Sequence, residues 1–281
     1  MPLGLGRGPC LAICIIAAFC NLALGLASRS LYAADLRLGY PDQAAHPFHL
    51  GDGSDVPQQQ PGMAVDLTLR LLHQAGLNAD LLRLPIRRLH EEMRAGRVDG
   101  WIGLSYTRER AEYLAYPTRD GKPDSERRLL ANHYALYRPQ GGSAHWTLPS
   151  LLIGAEGGPL PIVLGLDGGA LAMPAGFALV QEIRGSRQSV EEYADTAHMF
   201  RLLALGRLPA VLSKQNVADR LIEGLGVAPR IEKLPGTLSR DYFLAVSKRL
   251  HAERRDTIEK LWDAMAQQRE AVYAELAPLY R

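Results

Sequence analysis

Between residues 36 and 105, short apolar runs alternate with amphipathic helices, and this alternation constrains the fold more than any other feature. Leu36-Arg37-Leu38-Gly39-Tyr40 reads as a first strand. Met63, Leu67, Leu71 and Ala75 recur every four residues, so 62–75 is expected to form a helix stopped by Gly76. Ala79 to Leu84 reads as a second strand, and Ile86, Leu89 and Met93 mark a second helix ended at Gly96. Val98 to Leu104 is the third strand. Strand–helix–strand–helix–strand implies a parallel sheet with right-handed crossovers.

The same alternation returns later in the chain. Pro161 to Leu166 reads as a strand followed by Gly168-Gly169, and Val190, Tyr193, Ala197, Phe200 and Ala204 as a helix stopped by Gly206. Ala210 to Leu212 is a strand with Lys214 just past its end, and 215–225 a helix. Residues 93–102 (MRAGRVDGWI) echo 203–212 (LALGRLPAVL): helix, Gly-Arg stop, strand. That spacing is too long for a solenoid and suits two similar α/β lobes; chance is the alternative, because helix–Gly–strand units are common. Residues 128–138 and 234–245 are the expected crossings between lobes, and a short helix is expected at 147–153. Ile258, Leu261, Trp262, Met265, Val272 and Leu276 share one face of a long C-terminal helix. The expected fold is therefore α/β and two-lobed, each lobe a mostly parallel sheet flanked by helices.

The first 34 residues stand apart. Arg7 precedes an apolar run from Cys10 to Ala27 and a small-residue zone at Tyr32-Ala33-Ala34, the pattern of a secretory signal peptide cleaved after Ala27 or Ala34. An uncleaved anchor is the competing reading, against which Cys20, Asn21 and Gly25 weaken the run. Cleavage would remove all three cysteines, so no disulfide or thiol chemistry is expected, which fits a periplasmic location. Removing Arg7 and Arg29 from the 32 Lys+Arg leaves 30 basic against 30 acidic residues. Near-zero net charge argues against nucleic acid as a partner.

Chemistry concentrates in GRVDGWIGLSYTRER, residues 96–110. Ser105 and Thr107 follow the C-terminal end of the third strand, and Arg110 lies one helical turn on. Ligands in open α/β sheets bind outside the strand C-termini. A hydroxyl, helix amides and a guanidinium there suit a small anion. The same residues also read as a strand–loop–helix with a solvated Arg110. Elsewhere, His46-x-x-His49-x-x-Asp52 has ligand types for zinc but sits in a Pro/Gly loop, and no metal is expected. Gly165 to Gly169 lacks the Lys-Ser/Thr of a phosphate loop, though its amides could form an anion nest. No nucleophile motif is present, and no cofactor is expected.

The whole stretch from 35 onward resembles the periplasmic solute-binding proteins of the amino-acid-binding type (bacterial extracellular solute-binding family 3; type II periplasmic binding protein fold). The most specific part is DGWIGLSYTRERAEYLAYP, 99–117: strand, hydroxyl, Thr-x-x-Arg, aromatic-Pro. LPIRRL (84–89) is similar to the Pro-Trp-x-Arg segment of one branch, with Ile86 in the aromatic position and Arg88 as the arginine. SRDYFLAVSKRL (239–250) resembles the return into the first lobe. The resemblance implies lobe 1 at 35–130 and 240–281, lobe 2 at 131–239, and a monomer. It implies that Gly103, Ser105 and Arg110 hold a ligand carboxylate, with Arg88, the Gly168-Gly169 amides and Lys214 completing the site. It implies delivery to an inner-membrane ABC permease, or docking on a sensor receptor.

The sequence departs from the family in two places. Gly168, Gly169 and Ala170 offer no hydroxyl, and Lys214 stands where the family places an aspartate for the ligand's ammonium. A lysine there would repel an α-ammonium, which points to an anion without an amine, such as a dicarboxylate or keto acid. The alternatives for Lys214 are solvent, or pairing with Glu182 or Asp219. An enzyme on this fold, of the cyclohexadienyl dehydratase type, would need a protonated acid in the cleft, with Asp42 and Glu182 as the candidates.

Overall fold

The computed structural model describes residues 35–51, 53–147, 163–166, 169–185 and 188–280. The expected signal segment, the 147–153 helix beyond Thr147, and Gly168 lie outside these.

The first lobe follows the expected order. Strands β1 (Leu36–Pro41), β2 (Ala79–Leu84) and β3 (Gly100–Ser105) are parallel, with β1 between the other two. They are joined by helices α1 (Met63–Gln74) and α2 (Ile86–Arg94). Arg110 lies in a one-turn helix, α3 (Arg108–Ala111). One core packs Leu38, Leu67, Leu71 and Ile102 against the C-terminal helix through Ile258, Leu261 and Trp262; another gathers Leu89, Met93, Trp101, Leu104 and Phe243.

Two long antiparallel strands, β4 (Leu130–Pro139) and β8 (Leu238–Ser247), continue the sheet into the second lobe. They overlap residues 128–138 and 234–245. Between them lie β5 (Leu171–Pro174), α4 (Ala178–Gly185), β6 (Val190–Tyr193), α5 (Thr196–Ala204), β7 (Ala210–Lys214) and α6 (Gln215–Gly224). After β8 come α7 (Lys248–Glu253) and α8 (Arg255–Leu276). The ten-stranded sheet runs β6-β5-β7-β4-β8-β3-β1-β2, with Ile231–Lys233 beside β4 and Leu114–Ala115 beside β8. The second lobe's inner strands β5 and β7 have both faces covered. Leu171, Met173, Ala210 and Leu212 enter one core; Ala172 and Val211 enter the other with Phe200, Leu203 and Ile222.

Two expectations for this lobe are corrected. Val163–Gly165 does not join the main sheet; it pairs antiparallel with His145–Thr147 in a separate two-stranded sheet. The lobe's first parallel strand in the main sheet is Leu171–Pro174, so Gly169 precedes a strand of that sheet instead of following one. Val190–Tyr193 is strand, not helix: Asp195 breaks the run and caps α5, accepting from the His198 amide.

The echo between 93–102 and 203–212 is structural. Gly96 and Gly206 both take φ +68°, a left-handed conformation open to glycine at little cost. Each end is closed the same way: Arg97 N–H bonds the Glu92 carbonyl, and Arg207 N–H the Leu202 carbonyl. Each cap turns the chain into the strand whose far end, β3 or β7, reaches the gap between the lobes.

Candidate functional site

The C-terminal ends of β3, β5 and β7 converge on a cavity of about 80 Å³. One water needs roughly 10–15 Å³ of such space, so the cavity suits several waters or one small molecule. Its first-lobe wall includes His49, Ile86, Trp101, Gly103, Ser105 and Arg110; Phe177, Thr196, Ser213 and Lys214 come from the second lobe, and Tyr242 from β8. No Asp or Glu lines it among the described residues.

The first-lobe rim is built by local geometry. Thr107 caps α3, its Oγ1 accepting from the Arg110 amide at 3.1 Å. That fixes Arg110 in the first turn with its guanidinium folded back on the strand end. Arg110 Nη1 donates to the Ser105 carbonyl at 2.9 Å and to Ser105 Oγ at 2.8 Å. The same carbonyl accepts from the Tyr116 hydroxyl at 3.2 Å. Both Arg110 side-chain bonds use Nη1, which leaves Nε and Nη2 to a ligand. Arg110 is 8% exposed, and no carboxylate among the described residues pairs with it. Glu182 acts on it at a distance but pairs directly with Arg240; a charge so buried without a direct counter-ion is costly, and an anion would offset the cost.

Gly103 sets the direction of this rim. Phe243 faces Leu104 and Leu244 faces Ile102, so Gly103 is the extra residue of a β-bulge. Its φ is +80°, where glycine is favoured. The bulge breaks the alternation, so that Trp101 and Leu104 enter one core and Ile102 the other. It re-aims the strand end carrying Ser105. A Cβ on Gly103 would lie 2.9 Å from His49 Cε1 and 3.0 Å from Nε2, so the imidazole packs directly on the bulge.

The second-lobe rim is sparser. Lys214 is the last residue of β7 and faces the cavity, with Nζ 4.9 Å from the Tyr242 ring centroid and 5.3 Å from that of Phe177. Neither alternative carboxylate takes it. Asp219 receives Lys233 at 2.7 Å and the Tyr137 hydroxyl at 2.8 Å, and Glu182 pairs with Arg240. Ser213 Oγ beside it is buried without a hydrogen-bond partner, as are His49 Nε2 and Trp101 Nε1 on the first lobe. Burial is the first cause that pushes His49 down to about 3, followed by the charge of Lys214; a backbone hydrogen bond to Ile102 acts the other way. The imidazole is therefore neutral.

The predicted residues divide clearly. Gly103, Ser105, Arg110 and Lys214 come together around the cavity. Arg88 does not: its side chain is exposed and bound to Glu91 at 3.2 Å and Glu92 at 2.7 Å. Ile86 lines the cavity, and two residues further along a helix is the opposite face. Gly169 lies at the N-terminal side of β5, where a Cβ would meet Pro209 at 2.7 Å, at the strand end away from the cavity. Gly168 is outside the described residues. His46 and His49 do not converge: His46 receives Asn216 and Arg220 across the mouth, while His49 is buried. Among the described residues no group of three or more His, Cys, Asp or Glu could hold a metal. Burial raises the Glu182 carboxyl against the opposing pull of Arg240, yet neither it nor Asp42 lines the cavity. Phe177 and Tyr242 had no sequence signal as site residues; each reads as core or loop until the sheet order is known, Trp101 reads as core or cleft packing, and His49 is singled out only as a metal-ligand type.

No family model matches the sequence, and no curated protein matches it. Solved structures do. A histidine kinase sensor domain similar to periplasmic binding proteins aligns with a TM-score of 0.62 at 17% identity, covering 86% of this chain and 96% of that one. The L-glutamate complex of the GluR0 ligand-binding core of Nostoc punctiforme gives 0.59 at 16%, covering 85% and 98%. The arginine-, lysine-, histidine-binding protein ArtJ of Geobacillus stearothermophilus gives 0.59 at 15%, covering 85% and 94%. The chain has the two-lobed fold of these periplasmic binding proteins. Among its described residues no helix is long and apolar enough to cross a membrane.

Proposed function

We propose that this protein captures a small carboxylate-bearing ligand without an amine, holding it between lobes formed by residues 35–130 with 240–281 and by 131–239. The observation that carries this reading is a cavity with two cations, Arg110 and Lys214, and no acid among its described lining. Ser105, Arg110 and the Gly103 backbone take the carboxylate; Lys214 and Ser213 take a second polar group from the other side. An α-ammonium would find no counter-charge and would face Lys214, at a cost that grows as the cleft dries. Small organic acids satisfy both rims. Mono- and dicarboxylates, keto acids and the standard amino acids, titrated calorimetrically against the protein, test this. Binding of an amine-free acid with no response to lysine or arginine is expected; preference for a basic amino acid, or no binding by any acid, overturns it.

The signal-like leader and the fold favour a periplasmic protein that delivers its ligand to an ABC importer. A sensory role is the second reading, supported by the kinase sensor domain among the structural neighbours. Both use the same cleft. Adjacent permease and ATPase genes favour import, and an adjacent receptor gene favours sensing.

A further inference from the structure

The two lobes touch at the mouth of the cleft, and one of the touching groups can change its charge near neutral pH. Helix α6 begins at Gln215, which places Asn216 and Arg220 on one of its faces, four residues apart. Both reach His46 in the first lobe. Asn216 donates its side-chain amide to the His46 carbonyl, and Arg220 Nη2 lies 3.1 Å from His46 Nε2.

The second contact fixes the state of the ring. A guanidinium has only donors, so Nε2 accepts and carries no proton. The imidazole is neutral, with its one proton on Nδ1. A proton added to Nε2 removes the acceptor and sets an imidazolium against a guanidinium. A hydrogen bond across the cleft then becomes a like-charge contact. Histidine is the side chain whose ordinary titration falls between about pH 5 and 8.

The charges nearby do not supply a direct counter-ion. Asp42 and Asp195 line the same open hollow as His46 and Arg220. Asp195 accepts from the His198 amide, and Asp219, beside Arg220 on α6, holds Lys233. No carboxylate among the described residues forms an ion pair with His46 or Arg220. Burial, then the charge of Arg220, lowers His46 from the ordinary 6.5, while a backbone bond to Tyr280 acts the other way. Opening the cleft separates His46 from Arg220 and removes the second cause. The open form therefore takes up a proton at a higher pH than the closed form, and acid favours opening. The contact is intact above pH 6.5 and is lost as pH falls through the lowered value.

We infer that His46 and Arg220 form a pH-sensitive latch, which holds the cleft shut while the imidazole is neutral and lets the lobes part when it is protonated. The latch acts on the lobes and not on the ligand, so it does not depend on which acid the cleft takes.

Small-angle X-ray scattering at about pH 7.5 and about pH 5, either side of an ordinary histidine titration, tests it without any ligand. Acidification is expected to raise the open-to-closed ratio about fivefold, the effect of one lost hydrogen bond, read as a larger radius of gyration. Arg220 is exposed, so substitutions there leave the core intact. Arg220→Gln offers a donor to the neutral ring and an acceptor to the charged one, and its radius should not respond to pH. Arg220→Glu should reverse the response, because its carboxylate holds an imidazolium and the cleft closes on acidification. A wild-type radius that does not grow overturns the inference, and so does growth that survives unchanged in Arg220→Glu, which marks acid expansion of the whole chain. Independently, an NMR titration should place His46 below 6.5, and Arg220→Glu should carry it above 6.5. A His46 titration that ignores the residue at 220 overturns the latch.

Discussion

Arg110 and Lys214 face one cavity from opposite lobes, and the protein holds them in unlike ways. Arg110 is fixed before any ligand arrives: Thr107 sets its turn, two acceptors on Ser105 hold Nη1, and the Gly103 bulge aims the strand end. Lys214 has only the faces of Phe177 and Tyr242, with Ser213 unpartnered beside it. A preorganised guanidinium loses little freedom on binding, whereas a flexible ammonium must be ordered by the ligand itself. The contrast assigns affinity to the first rim and discrimination to the second.

The most severe way to break that contrast is Arg110→Met. It removes the charge-assisted bonds to the carboxylate and should cost about 3 kcal/mol, on the order of 100-fold in affinity for every acid alike. Stability should hold or rise, because a buried charge with no directly paired carboxylate is replaced by an apolar side chain of similar length. Calorimetry and a thermal melt on the same variant read both effects. Lost affinity with a large fall in melting temperature would instead make Arg110 a structural residue.

Lys214→Asp should cost less but change more. Acid affinity should fall by about 1–2 kcal/mol, roughly 5–30-fold, since one semi-exposed cation is reversed. Binding of an α-amino acid should appear, because the new carboxylate supplies the missing counter-charge. A uniform loss with no gained ligand would deny the second rim its discriminating role.

How far these rims were visible before the structure differs in the same way. The first rim was legible because its parts are adjacent in sequence: Ser105, Thr107 and Arg110 fall within six residues at the end of one strand, and each has a local physical role. The second rim is assembled from β5, β7 and β8, and adjacency gives no hint of it. Leu171–Pro174 was missed because a four-residue strand buried on both faces shows no alternation, and flanking glycines read as loop. The glycine turn was consequently placed on the wrong strand, and Gly169 lies at the end away from the cavity. The likeness of LPIRRL to a family segment points to Arg88, whereas the helical phase puts Ile86, not Arg88, toward the cleft. Lys214 was legible by its departure from an expected aspartate, but its aromatic partners were not.

The rims also differ in their response to acid. The first is backed by His49 and His90. Burial, then the charges of Arg110 and Arg94, hold His90 down at about 3, and His49 lies at about 3 as well. Both fall below the ordinary 6.5 of the unfolded chain. Between those values the unfolded chain binds protons that the folded one does not, so stability is complete above pH 6.5 and declines as pH falls toward 3. Each histidine contributes up to about 1.4 kcal/mol per pH unit in that window. Denaturant melts from pH 7 to 4 should show this slope, and His90→Gln should remove about one histidine's share. An unchanged slope in that variant would place the proton uptake elsewhere.

The smallest expected effect concerns what brings the rims together. Asn216, at the start of α6, donates its side-chain amide to the His46 carbonyl, and Arg220 Nη2 lies 3.1 Å from His46 Nε2. These contacts join the first lobe's 42–50 loop to the second lobe at the mouth of the cleft. They touch neither Arg110 nor Lys214, so they act on the closed state as a whole and leave the contrast between rims intact. Removing both in Asn216→Ala/Arg220→Ala forfeits two partly exposed hydrogen bonds, worth roughly 1 kcal/mol together. In hinged binding proteins such a loss favours the open form. Stopped-flow measurements should therefore give release a few-fold faster, with association unchanged and the ranking of ligands preserved. A changed ranking would mean that the mouth itself reads the ligand, and discrimination would no longer belong to Lys214 and its neighbours alone.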